Sequence, residues 1–216
     1  MNLETKTIRS GTINDLDQVY PLMRTLFDPT TILSKATLGA LMKKNRYQLY
    51  VLVTNTKIIG FCWYLIFKEH HTIWIDYLGI HPKFQNQGYG TYLISHLLNN
   101  HHFKPQYAFV ELELDQETPG NNFNRRVMFY QQQGFHLTNI KYLVPLDDGI
   151  PVALAMWSLN KQYQILNATL SGIIKEIMNT IYLKQPMMPR VRDRIVSDLD
   201  SKHLVLRSLQ ILKINP

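Results

Sequence analysis

The 216-residue chain is long enough for one substantial domain with a buried core, and its 45% hydrophobic fraction, with 12 Tyr, 9 Phe and 3 Trp, excludes a largely disordered protein. The net charge of +7 is unevenly placed: residues 1–160 carry 14 Lys+Arg against 12 Asp+Glu, and residues 161–216 carry 9 against 4, so the tail supplies +5. The single cysteine, Cys62, excludes an intrachain disulfide, the longest apolar run (58–67) is about half of what a bilayer-spanning helix needs, and the amino terminus lacks a secretory signal's apolar core, so a cytoplasmic protein without membrane contact is expected.

In chain order, residues 5–11 read as a short strand. A helix follows, entered through Thr12 or Asn14, with Leu16, Val19, Leu22, Met23 and Leu26 recurring at helical spacing. A second helix is expected from Ser34 to Asn45, beyond the break at Pro29. The period then changes to two: residues 47–54 and 57–67 flank Asn55-Thr56 and read as a β-hairpin. A further strand, residues 71–80, is ended by Pro82, and a helix opened by a glycine turn runs over residues 85–98. Residues 107–115 read as a strand, 116–124 as a polar loop, and 125–133 as a short helix stopped by Gly134. Residues 135–146 and 151–160 close the pattern as an antiparallel hairpin around the turn 147–150. Hairpins interrupted by two helices argue for an α+β fold on a mixed sheet rather than a doubly wound one. From Lys161 onward, Ile165, Ala168, Leu170, Ile173, Ile177 and Ile181 mark a helix that stops before Gln185-Pro186, and the periodicity beyond is ambiguous. The expected division is a domain over 1–160 and a basic, helical extension over 161–216.

The glycine turn carries the chemistry most legible in the sequence. A G-x-G turn running into a helix leaves the first-turn N–H groups without intrahelical acceptors, and the helix dipole adds positive potential there, so a phosphate group is the natural guest. Gly88 and Gly90 let the backbone approach such an anion without Cβ obstruction. A Walker-type loop is excluded because no lysine follows Gly90, and a dinucleotide fingerprint because Leu93 stands where its third glycine belongs. Taken alone, the turn could equally be a strand-to-helix connection that uses glycine for its geometry.

Its surroundings are more specific. Leu78, Ile80 and Pro82, followed by Gln85, Gly88 and Gly90, resemble the acyl-CoA-binding segment of the GNAT superfamily of N-acyltransferases, whose pattern is [RQ]-x-x-G-x-[GA] after a hydrophobic-x-hydrophobic-x-Pro strand end. Downstream, Tyr130, Gly134 and Phe135 match the superfamily's Y-x-x-x-G-F helix end, and the 110–115 strand with Arg125-Arg126 is similar to a bacterial subgroup. The resemblance spans residues 5–160. Two departures stand out: Phe123, flanked by Asn122 and Asn124, occupies the place of an asparagine common in the family, and Gln85 replaces the commoner arginine.

The resemblance implies the GNAT fold, a mixed and mostly antiparallel central sheet flanked by helices, and acetyl-CoA as co-substrate with no metal. It assigns the pyrophosphate to the backbone of Gln85, Asn86, Gln87, Gly88, Tyr89, Gly90 and Thr91, main-chain contacts with pantetheine to Leu78 and Ile80, and a further contact to Asn124. In the family the pantetheine lies where two central strands splay apart, and Gly79 would keep that gap open. Acyl transfer from a thioester to an amine needs a deprotonated amine and a proton for the departing thiolate. Tyr130 is the implied general acid, the alternative being an aromatic packed beside Phe123 and Val127. For the base, Asp76 lies two residues before Leu78 on the same strand face; Glu113, which shares a face with Glu111, is next. Cys62 reads as core filler rather than a covalent nucleophile. His70-His71 and His101-His102 lack a regular ligand spacing, and Arg125 and Arg126 could meet phosphates or simply begin a helix. The expected activity is direct transfer of acetyl to a primary amine of a small molecule, peptide or protein. Two other readings compete: an acyl-CoA-binding sensor or scaffold without turnover, and an enzyme directed by its basic tail to nucleic acid such as transfer RNA. The tail's apolar positions alternatively suggest helices packing on the domain or on a second subunit, as a homodimer.

Overall fold

The computed structural model describes residues 6–45, 47–55, 57–99, 103–113, 122–138, 140–145, 149–161, 165–182 and 185–200. His101-His102, the loop at 116–121, residues 147–148 of the expected turn and the segment 201–216 lie outside them. The described residues form two compact units, one drawn from Met1–Ile66 and Ile73–Pro105, the other from Phe67–Thr72 and Gln106–Pro216.

In the first unit, β1 (Lys6–Ser10) pairs antiparallel with β2 (Gln48–Thr54), and β2 with β3 (Lys57–Phe67), with Ile8 opposite Leu52 and Tyr50 opposite Cys62. The fourth strand, β4 (Thr72–Ile80), neighbours β3. The apolar run in β3 is continuous because both of its faces are covered. On one face, Trp63 donates its indole N–H to Met23 Sδ at 3.2 Å, and Met23 lies in α1 (Leu16–Leu26). On the other face, Gly60, three residues before Trp63, lies against Leu93 of α3 (Tyr89–Leu98). The α1 entrance is fixed by Asp15, which accepts from the Thr12 N–H at 2.7 Å and takes both prongs of the Arg9 guanidinium at 2.7 and 2.8 Å. Those donors depress the Asp15 pKa to about 2, the Arg9 hydrogen bond contributing most. Ser34 caps α2 (Lys35–Lys43) by accepting from the Thr37 N–H at 3.1 Å.

In the second unit, β5 (Tyr107–Glu113) pairs antiparallel with the last strand, and α4 (Asn122–Gln132) begins three residues earlier than the periodicity predicts. The strand expected over 135–146 is broken into β6 (His136–Leu137) and β7 (Tyr142–Val144), both paired with β8 (Ile150–Ser158). His136 faces Met156 while Tyr142 faces Val152, so the register slips by two residues between them. Beside the break, Thr138 Oγ1 accepts from the Ile140 N–H at 3.4 Å.

The carboxyl-terminal residues form α5 (Asn167–Ile181) and α6 (Met188–Asp200) and pack within this second unit. Leu170, Ile173, Ile174, Ile177 and Met178 are buried, as are Val191, Ile195 and Leu199 of α6, and Asn167 bonds the Leu199 carbonyl between the two helices. His70 packs over Gly172 of α5. Among the described residues, the apolar positions of α5 and α6 named above are therefore buried within the same chain.

Candidate functional site

In the first unit, β4 runs into the glycine turn. Burial along the strand alternates: Tyr77 and Gly79 are buried, whereas Asp76, Leu78 and Ile80 are half-buried. The turn is held by its neighbours, with the His81 N–H donating to the Ile59 carbonyl at 2.8 Å and the Gln85 amide donating to the Ile80 carbonyl at 3.0 Å. Gln85 thus braces the strand end, a neutral role that the commoner arginine would fill with a charge.

Asn86 and Gly88 both adopt positive φ, 61° and 81°, which turns the chain into the helix. Gly88 is the cap of α3, and the Tyr92 N–H is bonded to its carbonyl at 2.9 Å, so helix geometry aims the N–H groups of residues 88–90 out of the helix end. A Cβ placed on Gly88 would meet nothing within 4 Å. That open, N–H-lined helix entrance fits a phosphate group and leaves it room at close range. Tyr89 is half-buried, with the Lys6 ammonium 5.0 Å from its ring centroid.

Gly79 also meets a packing requirement. Its absent Cβ would lie 2.5 Å from Phe61 Cζ and 2.7 Å from Leu26 Cδ1, so glycine is required there by the packing of α1 and β3.

Asp76 is the most perturbed carboxyl of the unit. Burial pushes its pKa up to about 7, and a hydrogen bond from the Tyr47 hydroxyl to Oδ2 acts in the opposite direction. Oδ1 carries no hydrogen bond among the described residues, which leaves one oxygen anchored and one available. Tyr47 is 1% exposed and its ring stacks on Trp63 at 5.0 Å with planes 13° apart. Sequence reasoning did not single out Tyr47; the available signal was an aromatic placed directly before a strand whose neighbour carries Trp63. Cys62 is fully buried, and burial together with the Asp76 charge holds its thiol far above the usual range, so it has no thiolate to offer.

In the second unit, Tyr130, Gly134 and Phe135 form a Schellman cap on α4. The Phe135 N–H bonds the Tyr130 carbonyl at 3.0 Å, the Gly134 N–H bonds the Gln131 carbonyl at 2.8 Å, and Gly134 has φ 84°. The hydrophobic contact that accompanies this motif is the Tyr130–Phe135 ring pair, with centroids 5.3 Å apart. Tyr130 is therefore a buried ring in a fixed orientation. Glu113 is 55% exposed and engaged by Arg126, whose guanidinium lies 3.7 Å from the carboxylate and donates to the Glu113 carbonyl at 3.0 Å. Glu111 accepts from the Tyr182 hydroxyl at 3.4 Å, which separates the environments of the two glutamates. Asn124 is exposed in the first turn of α4. No group of three or more His, Cys, Asp or Glu that could hold a metal occurs among the described residues.

The glycine-capped entrance of α3 thus follows β4, the strand that carries the Asp76 carboxyl pushed toward neutrality. Residues 45–137 match the sequence model of the acetyltransferase (GNAT) domain. Enzymes with this domain use acetyl-CoA and act on amine acceptors. No curated protein matches the chain. Among solved structures, the chain is similar to a protein described as a GNAT-family acetyltransferase from Bacteroides thetaiotaomicron, at TM-score 0.62 and 21% identity, covering 82% of this chain and 97% of that one. The ribosomal-protein-S18-alanine N-acetyltransferase from Escherichia coli aligns at TM-score 0.52 and 20% identity over 72% of this chain and 94% of its own. Ard1 from Thermoplasma volcanium aligns at TM-score 0.56 and 17% identity over 71% of this chain and 97% of its own. The fold is the α+β GNAT fold, strands flanked by helices. Among the described residues, no helix is long and apolar enough to cross a membrane.

Proposed function

We propose that the protein transfers acetyl from acetyl-CoA directly to a primary amine, through a domain spanning residues 1–160 to which 161–216 form a helical extension, in the cytoplasm. The observation that carries this reading is Asp76, whose carboxyl titrates near the pH at which a general base is most effective and keeps one oxygen available. An alkylamine arrives almost wholly protonated at neutral pH. Asp76 takes the proton, directly or through water, and the freed lone pair attacks the thioester carbonyl. The C–N bond forms, the nitrogen, now carrying a positive charge, loses its second proton to solvent, the C–S bond breaks, and the departing thiolate takes a proton from the Tyr130 hydroxyl, which later regains one from solvent. The backbone N–H groups near Gly88 and Gly90 hold the pyrophosphate, with Leu78 and Ile80 supplying main-chain contacts to the pantetheine. Support for Tyr130 comes from its match to the family pattern and from the cap that fixes its ring. Asp76 is preferred to Glu113 because Glu113 is exposed and already paired with Arg126.

Thiol release from acetyl-CoA over a panel of small amines and peptides tests the proposal. Turnover on at least one amine, lost in Asp76→Asn and in Tyr130→Phe, is expected. Tight acetyl-CoA binding with no turnover on any amine would overturn it in favour of a sensor.

A further inference from the structure

The base of the proposed reaction is held by a residue that the family pattern does not mark. Tyr47 precedes β2, outside every motif segment, yet its hydroxyl donates to Oδ2 of Asp76. The phenol can reach the carboxylate only if its ring stays where it is, and three contacts in series fix it. The ring lies stacked on Trp63, the Trp63 indole N–H is tied to Met23 Sδ at 3.2 Å, and Met23 sits fully buried in α1. None of these side chains is more than 1% exposed, so the arrangement is packed rather than solvated.

We infer that Tyr47 is a positioning residue for general-base catalysis, orienting the Asp76 carboxylate through Oδ2 so that Oδ1 faces the incoming amine. The inference rests on the proposed role of Asp76. The physical case has two parts. A carboxylate on a short side chain has a broad terminal torsion, and one anchored oxygen narrows it, which preserves the near-attack geometry a proton transfer requires. A donor to the charged form also stabilises that form, so Tyr47 counteracts the burial that would otherwise keep the carboxyl protonated. The other titratable group coupled to Asp76 is Cys62 on β3, whose thiol remains protonated and adds no charge. Among the described residues, Tyr47 is therefore the group that tunes this carboxyl.

The test is the pH profile of kcat/KM, for whichever amine is turned over, in the wild type, Tyr47→Phe and Asp76→Asn. A parallel ¹³C-carboxyl NMR titration of the free protein is read against Asp76→Asn for assignment. In Tyr47→Phe the ring and its stacking on Trp63 remain and only the donor is lost. The ascending limb and the NMR midpoint should both move up by about one pH unit. Activity at pH 7 should fall about fivefold from that shift alone and recover toward the plateau above pH 9. Replacing Tyr47 with 3,5-difluorotyrosine, a stronger donor, should move both midpoints down. Midpoints unchanged in both variants, or a loss of activity equal at every pH, would overturn the inference and leave Tyr47 a packing residue. The underlying reading fails separately, and visibly so: it is refuted if Asp76→Asn keeps the wild-type limb, whatever Tyr47→Phe does.

Discussion

Replacing Asp76 with asparagine should make the protein more stable at pH 8 and inactive. In the folded state the carboxyl titrates near 7 rather than at its ordinary 3.8, so the native protein binds this proton more tightly than the unfolded chain does. The sign follows. Below about pH 3.8 both states are protonated and Asp76 imposes no penalty; the penalty grows as pH rises between 3.8 and 7, and is complete above 7. The displacement corresponds to at most about 4 kcal/mol, reduced by whatever water reaches the half-buried carboxylate. Asparagine is isosteric, keeps an oxygen for the Tyr47 hydroxyl and has no charge to desolvate. Urea denaturation of both proteins at pH 5, 6.5 and 8 measures the difference directly, and effects of other titrating groups cancel in the comparison. Asp76→Asn should gain stability relative to wild type as pH rises, while kcat/KM falls by about 10²- to 10⁴-fold. A variant equally stable or less stable at pH 8, or a difference constant across pH, would refute the claim that burial raises this carboxyl. It would also remove the reason for choosing Asp76 as base.

Tyr130→Phe should leave the helix cap and thermal stability nearly intact, because the cap bonds are main-chain and the Phe135 contact needs only a ring; kcat should fall by about 10²-fold, measured as thiol release. Gly88→Ala places its methyl in open space but forces a left-handed backbone on alanine, so the fold should lose about 1–2 kcal/mol by denaturant titration and KM for acetyl-CoA should rise. Gly79→Ala should destabilise by about 1–3 kcal/mol through collision with Phe61 and Leu26, and Phe61→Leu in the same chain should recover part of the loss in the same titration. Asp15, whose pKa is depressed to about 2 by Arg9, contributes stability above its ordinary 3.8 that is lost as pH falls toward 2; acid unfolding followed by circular dichroism should show a smaller loss over that range in Asp15→Asn.

The elements were legible where a pattern was local. The helix entrance at Thr12, the Ser34 cap, the hairpin at Asn55-Thr56 and the helix stop at Gly134 each depend on residues within a turn of one another, and the sequence displays all of them. The break between β6 and β7 was not legible, because it shows as a slip of register against β8, which depends on the partner strand and not on the run of residues 135–146 alone. The two glycines of the β4–α3 region separate what a sequence can and cannot say. Gly88 is needed for a positive φ and for open space at a helix end, conditions set by the turn itself, and so it is recognisable from its spacing. Gly79 is needed because side chains from α1 and β3 occupy the volume of its methyl, a condition set by residues 18 and more positions away, which spacing cannot reveal.

The same division runs through the site. The glycine turn is a backbone device, and backbone devices leave short, contiguous signatures. The tuning of a carboxyl is a side-chain device whose partners come from whichever elements the sheet brings alongside. Asp76 could be chosen from strand parity, but its Tyr47 donor is 29 residues away and is fixed in turn by Trp63 and Met23, from two further elements. Asp76 and Glu113, close rivals on strand parity, differ once partners are known: one is shielded and shifted toward neutrality, the other exposed and held by Arg126. Which carboxylate can act as base is thus decided by burial and partners, and both are tertiary properties. Where a glycine turn is a backbone device, the informative substitutions lie outside the motif, among residues such as Tyr47 that act on a side chain brought alongside by the sheet.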